Sequence, residues 1–381
     1  MENTDPYRKF SNVLASFILV NAAVVVGVNA LVDPYHLAGT QVLANLTELK
    51  PDSSKDTRTF KAVQVMRIRP KTIFLGTSRA DIGLNPEHPA LVQPAYNLAI
   101  PAGDMYEAMR YFEHALANQP DLKQVIIGID MVAFGVKEDG NGEQLAPELE
   151  NTLKQTDHLP KLPPFLFSTD TFKSSVATLA TNLSRSTPKD YYLSNGRLIR
   201  HNPTDRSTQD VFELHLKTAY FQHWYDDYQT SQKQLGYLQA IVDTCQQKGI
   251  DLKVFISPAH VTQWEAIHAA GLWPAFEDWK RQVVKITPVW DFSGYNSITA
   301  EPISDDMQNY LESSHYLPHI GDLVLNRVLG YEADIPDDFG TLVTTDTIGS
   351  HLATIRAERQ AWARQNPEVV QLVEQWKQEA L

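Results

Sequence analysis

"TIFLGTSRADIGLNP", residues 72–86, carries a short apolar and β-branched run into Gly76-Thr77-Ser78-Arg79. A run of this kind closed by glycine predicts a buried strand. At its end Ser78 has three readings: a turn residue at a helix N-cap, part of an anion cradle, or a nucleophile. Four residues do not separate them, so the flanking chain has to.

Outward from that stretch, strands and helices alternate. A helix is expected over Thr57–Met66 before the first strand, "KTIFLGTS". "AYNLAIP" (95–101) predicts a second strand, and the helical spacing of Met105, Met109, Phe112 and Leu116 follows, ending before Pro120. "KQVIIGIDMVAF" (123–134) has almost no polar residue, as a central parallel strand covered on both faces requires. From about 135 to 217 the rhythm lapses. A Gly-rich loop (Asp139–Gly142), a Pro-rich turn ("LPKLPPF", 159–165) and a basic-polar segment (184–203) read as an insertion or cap, with helix expected over Phe165–Asn182. The alternation then resumes with a helix Tyr220–Lys248, the strand "IDLKVFISP", a helix Thr262–Val284 and the short strand "VWDFSG". From Thr347 one or two amphipathic helices are expected to pack on the domain or a partner. The implied fold class is α/β, a doubly wound, mostly parallel sheet spanning about 57–330, with 331–381 as a helical extension.

Ahead of it, Val13–Val32 is twenty residues without a charge. As a helix it would reach roughly 30 Å, the thickness of a bilayer's hydrocarbon core. Arg8 and Lys9 precede it and a mildly acidic segment follows. The positive-inside rule then keeps residues 1–12 cytoplasmic and sends the bulk of the chain across a single-pass inner-membrane anchor. Two alternatives remain: a cleaved signal peptide, with Val28-Asn29-Ala30 as a loose cleavage site, or a buried core helix. The 381 residues carry a formal charge of −13 spread along the chain, which argues against a nucleic-acid partner. A lone cysteine, Cys245, excludes an internal disulfide.

In such a sheet, ligands bind at the carboxyl ends of strands. Polar groups fall there at Ser78 and Arg79, at Asn97 with Gly103, at Asp130 and at His260. A further cluster, "YLESSHYLPHIGD" (310–322), sets Glu312 three residues before His315. Serine needs a base to take its proton, and the base needs a carboxylate to fix its tautomer. Ser78, His315 and Glu312 supply the three parts. The Ser78 and Gly103 N–H groups and the Asn97 amide are candidate oxyanion donors. Arg79 would bind an anionic substrate or pair with Asp81. Asp130 reads as a structural carboxylate near the site, accepting from backbone N–H groups, and His260 as a residue lining it or merely exposed. His315 and His319 are separated by Pro318 with no completing ligand, and Walker and Gly-x-Gly-x-x-Gly patterns are absent, so neither metal nor cofactor is expected.

These residues resemble the SGNH/GDSL hydrolases. In that family a serine follows the first strand, a glycine lies after the second, a Gly-x-Asn element follows the third, and Asp-x-x-His lies near the C-terminus. Ser78 and Gly103 match the first two blocks, and Glu312 with His315 matches the last, with Glu for Asp. Asp130 stands where the third block has Asn, and a carboxylate donates to an oxyanion only when protonated. The order of anchor, "VDPYHL", "GTSR", "YNLAIPAG", "GIDMVAF", "ISPAH" and "SSHY" looks like the membrane-anchored branch of bacterial envelope and exopolysaccharide loci, over roughly residues 10–330. Relatives of the D-alanyl-teichoic-acid transfer protein and, more distantly, alginate O-acetylation proteins belong there. The resemblance implies a three-layer SGNH fold and an O-acyltransferase or esterase working on an envelope or secreted glycan beside a multispanning membrane acyltransferase. A catalytically idle binding or assembly protein on the same fold, and a cytosolic phosphoryl-handling protein with Val13–Val32 buried in its core, are the alternatives.

Overall fold

The computed structural model describes residues 6–40, 43–136, 145–156, 162–202, 205–331 and 334–380. The expected Asp139–Gly142 loop and the start of the Pro-rich turn lie outside the described residues. The apolar N-terminal run forms one helix, α1 (Pro6–Val32), and Tyr7–Val32 is long and apolar enough to cross a membrane. Between Val13 and Val24 its side chains are mostly exposed, so it is not a core helix of the domain. Its last turns differ. Asn29 is buried and its amide donates to the carbonyl oxygens of Phe165, Leu166 and Ser168 at 3.3, 2.9 and 3.1 Å. Its own oxygen accepts from Ser175 Oγ at 3.0 Å. Cleavage after Ala30 would remove a side chain around which the domain is packed.

After α2 (Thr57–Ile68) come β1 (Thr72–Gly76), α3 (Ser78–Gly83), β2 (Ala95–Asn97), α4 (Met105–Asn118) and β3 (Gln124–Ile129). The middle stretch holds α5 (Pro147–Leu153), α6 (Leu162–Leu166), α7 (Thr169–Ser184), an antiparallel ribbon of β4 (Asp190–Tyr192) and β5 (Leu198–Arg200), and α8 (Thr208–His215). α8 runs on as a π-helix over Leu216–Trp224. Then follow α9 (Gln232–Lys248), β6 (Asp251–Ile256), α10 (Val261–Ala269), α11 (Trp273–Ile286), β7 (Val289–Asp291) and α12 (Pro318–Leu329). The chain closes with β8 (Thr341–Val343), α13 (Ile348–Gln365) and α14 (Pro367–Ala380).

Among the described residues one sheet of six strands runs in the order β2-β1-β3-β6-β7-β8, parallel except for β8. This is the α/β, mostly parallel sheet that the alternating pattern predicts. β1 and β3 are buried along their length, which is why both read as unbroken apolar runs. The connection from β1 moves outward to β2 and the next returns past β1 to β3. Right-handed crossovers in opposite directions put α3 and α4 on opposite faces. α4 packs on α9, and α3 on α12.

Several elements depart from expectation. The strand expected over 123–134 ends at Ile129, with Met131–Phe134 a 3-10 turn. The helix expected over Phe165–Asn182 breaks after Leu166 and restarts at Thr169, capped by Ser168. The helix expected over Tyr220–Lys248 begins at Gln232, because Tyr220 belongs to the π-helical turns before it. The helix expected over Thr262–Val284 is two, broken where Gly271 takes φ +74° and Pro274 opens the next helix. The extension after residue 331 is helical only in part. It first supplies β8, an antiparallel edge strand too short to carry a periodic signal. Its last helix buries Val373 and Trp376, packing on α10 and on the π-helical turns.

Candidate active site

β1 and β3 are neighbours in register, Gly76 opposite Gly128, at the point where the winding of the sheet reverses. A reversal of this kind leaves a crevice at the carboxyl ends of the strands. Gly76 takes φ +138°, and a Cβ there would lie 2.3 Å from the Gly128 carbonyl oxygen, so only glycine lets the chain turn so close to β3. Thr77 caps α3, its hydroxyl accepting from the Arg79 N–H at 3.4 Å. Ser78 is therefore the first residue of α3. Its N–H is among those that a helix start leaves without an intrahelical partner.

Opposite stands a loop pinched by a bridge between Tyr310 and Tyr316. The Glu312 carboxylate folds back onto its own backbone, accepting from the N–H groups of Ser314 at 2.9 Å and His315 at 3.1 Å. One carboxylate oxygen meets His315 Nδ1. The other ring nitrogen, Nε2, lies 2.7 Å from Ser78 Oγ. Residues 237 positions apart are thus brought into a Ser–His–Glu line, each member buried or nearly so. Burial pushes the His315 imidazole below its usual value, and Glu312 opposes that shift. The ring is consequently neutral at pH 7, with Nδ1–H held by the carboxylate and Nε2 free to accept. Burial alone would push the Glu312 carboxyl up, but His215 and His315 together hold it well below the usual carboxylate range.

A cavity of about 80 Å³ opens beside Ser78 and His315, lined also by Arg79, Gly103, Asp130 and Tyr220. Arg79 ties its walls together. It pairs with Asp130 at 2.6 Å, donates to Ser314 Oγ at 3.2 Å and donates to the Tyr220 hydroxyl at 3.2 Å. Burial is the largest single influence and opposes its charge, but Asp130 together with Tyr220 and Tyr225 outweighs it and holds the guanidinium above its usual value. The expected Arg79–Asp81 pair does not form, because residues two apart on a helix face different ways. Asp81 instead meets Lys61 at 2.5 Å and the Tyr192 hydroxyl at 2.6 Å. Asp130 accepts from the Thr77 hydroxyl and holds Arg79, side-chain partners rather than the backbone N–H groups expected.

Two expected site residues lie elsewhere. Asn97 is buried and its amide donates to the carbonyl oxygens of Ala80, Asp81 and Leu84, fastening the end of α3. His260 caps α10 through Thr262 and meets the Glu301 carbonyl at 2.6 Å; burial pushes its imidazole down to about 4. Gly103 does line the cavity, but its N–H donates to the Ile100 carbonyl at 3.0 Å within a turn. Its lack of a side chain serves packing: a Cβ would approach Ile100 and Glu107 to 3.0–3.2 Å.

Sequence reasoning missed His215. Its Nδ1 meets the second Glu312 oxygen and lies 3.0 Å from Ser313 Oγ, so the carboxylate sits between two imidazoles. His215 ends α8, and Ala219, Tyr220 and Trp224 of the π-helical turns continue the cavity wall. The aromatic run from His215 to Tyr225 was the available signal. His215, Glu312 and His315 also place three donor atoms within 4.8 Å of one another, a spacing compatible with a metal ligand set. Here each imidazole Nδ1 is directed at a carboxylate oxygen and His315 Nε2 at a serine, which is a chain of hydrogen bonds. Comparison with protein-family models and with curated proteins returned no match.

Proposed function

We propose that this chain is a membrane-anchored, extracytoplasmic SGNH-type O-acyltransferase or esterase acting on an envelope or secreted polysaccharide. The observation that carries the reading is His315, with Nε2 2.7 Å from Ser78 Oγ and Nδ1 on Glu312. Ser78 Oγ forms a bond to the acyl carbon while its proton passes to His315 Nε2. The carbon–oxygen bond to the leaving group then breaks, and His315 returns the proton to the departing oxygen. Water or a sugar hydroxyl, deprotonated by the same nitrogen, takes the acyl group from the serine ester. Glu312 orients the ring and balances the transient imidazolium. The Ser78 N–H, at a helix start beside the Arg79 charge, stands for the oxyanion donor that Asp130 does not supply.

The SGNH part rests on the order of the motifs around this site, the topology on Arg8 and Lys9 before the span, and the acyl-delivering membrane partner on the family resemblance alone. Asp130 favours a second reading, a catalytically idle binding or assembly protein, because its ionic lock with Arg79 occupies the place of an amide donor. Labelling with a fluorophosphonate, read by intact mass on the detergent-solubilised full chain, separates the two. One adduct that disappears in Ser78→Ala supports the enzyme. A folded protein that takes no adduct removes it and leaves the binding reading.

A further inference from the structure

The exit of α1 from its apolar stretch is built into the domain, and this fixes where the domain sits relative to a bilayer. Arg8 and Lys9 are the last charges before the apolar run. Counting from Phe10, about 20 helical residues cover the hydrocarbon thickness of roughly 30 Å. That places its far boundary at about Asn29. Val25–Val28, one turn earlier, are already half-covered by protein. Asn29 holds α6 at this level through the carbonyls of Phe165, Leu166 and Ser168. Tyr35 packs edge-on against Phe165, with ring centroids 5.9 Å apart.

The surface of α6 suits that depth. Pro163 and Pro164 are exposed, and Phe167 is 65% exposed although it is a large apolar side chain. In water such a patch loses the benefit of burial. At a lipid boundary it does not, but there every backbone carbonyl needs a partner inside the protein. The Asn29 amide supplies partners for three of them. This also gives Asn29 a reason to stand near the end of a largely apolar helix.

We propose that the α6 edge, with Phe167 at its tip, is a lipid-docking surface seated in the bilayer interface beside α1, the bilayer being its partner. It rests on the anchor part of the proposed function and not on the chemistry at Ser78. The seat holds the domain at one height and heading above the lipid.

The test uses the full chain reconstituted in phosphatidylglycerol/phosphatidylethanolamine vesicles. Cys245 is buried, so Phe167→Cys and, as control, Leu342→Cys on the far sheet edge each offer one reactive thiol for an environment-sensitive fluorophore. Flotation after a carbonate wash comes first; failure to float removes the anchor and the seat together. With the protein afloat, the expected result is blue-shifted emission at 167. Quenching there by interface-level nitroxide lipids should be several-fold stronger than at 342, with protection from iodide. Iodide quenching at 167 equal to that at 342 overturns the seat while leaving the anchor and the Ser78 chemistry standing. A probe at 167 reached by neither quencher also overturns it, since protein rather than lipid would then cover the patch.

Discussion

Glu312→Gln isolates the charge of the carboxylate from its shape. When Ser78 attacks, His315 becomes an imidazolium facing that carboxylate. At an effective dielectric of about 20, opposite charges about 4 Å apart attract by about 4 kcal/mol. Loss of that attraction slows the step about a thousandfold. There is a stability cost too. Each Glu312 oxygen accepts a backbone N–H. The new amide must aim its NH₂ at one of them, which costs about 1–3 kcal/mol. A thermal melt run beside the kinetics therefore establishes that the variant is folded. The pH profile gives an independent reading. Burial lowers the His315 value and Glu312 raises it. The rate should rise with pH as the ring loses its proton, along a limb below the ordinary histidine value. Removing the carboxylate should move that limb to lower pH. The assay is the single-turnover rate of Ser78 acylation by an activated ester between pH 4 and 8. A plateau rate within tenfold of the parent, or an acid limb displaced upward, would refute the electrostatic role.

His215→Phe removes one charge-assisted hydrogen bond from Glu312, about 1.5–3 kcal/mol, so acylation should fall by about ten- to a hundredfold with the adduct still on Ser78; an unchanged rate takes His215 out of the account. Asp130→Ala strands the buried Arg79 charge and should lower unfolding stability by about 3–5 kcal/mol, most of it recovered in Arg79→Met/Asp130→Leu. Equal stabilities of the single and double variants in urea titration would show that the pair is not coupled. Trp376→Ala should cost about 3–5 kcal/mol as a buried truncation. Because α14 backs the π-helical turns, it should also slow Ser78 acylation well below the melting temperature; normal acylation there would separate the tail from the site.

The sheet was legible because β1 and β3 are buried on both faces, which forces apolar runs that no helix of that length would show. The Glu312–His315 spacing was legible because a turn fixes what three residues can reach. Asn97 and His260 misled for one reason: a polar residue beyond a strand reads alike whether it faces a cavity or closes a helix, and only the path of the neighbouring chain decides. His215 went unread because its partner lies nearly a hundred residues on and its own stretch, though aromatic, has no sheet rhythm to place it at a strand end. The division of the helix at Gly271 was legible in principle, since a glycine followed three residues later by proline is a stop and a start.

The π-helical turns over Leu216–Trp224 set the wall of the cavity by their pitch. At about 100° per residue, an α-helix would carry Trp224 to the side opposite His215 nine positions earlier. Bonding five residues apart, as from the Tyr225 N–H to the Tyr220 carbonyl at 2.8 Å, winds the chain more slowly and keeps both on one wall. Pitch, more than side-chain identity, is therefore what this segment has to conserve: the same nine steps wound as an ordinary helix would turn Trp224 away from the cavity with every side chain intact.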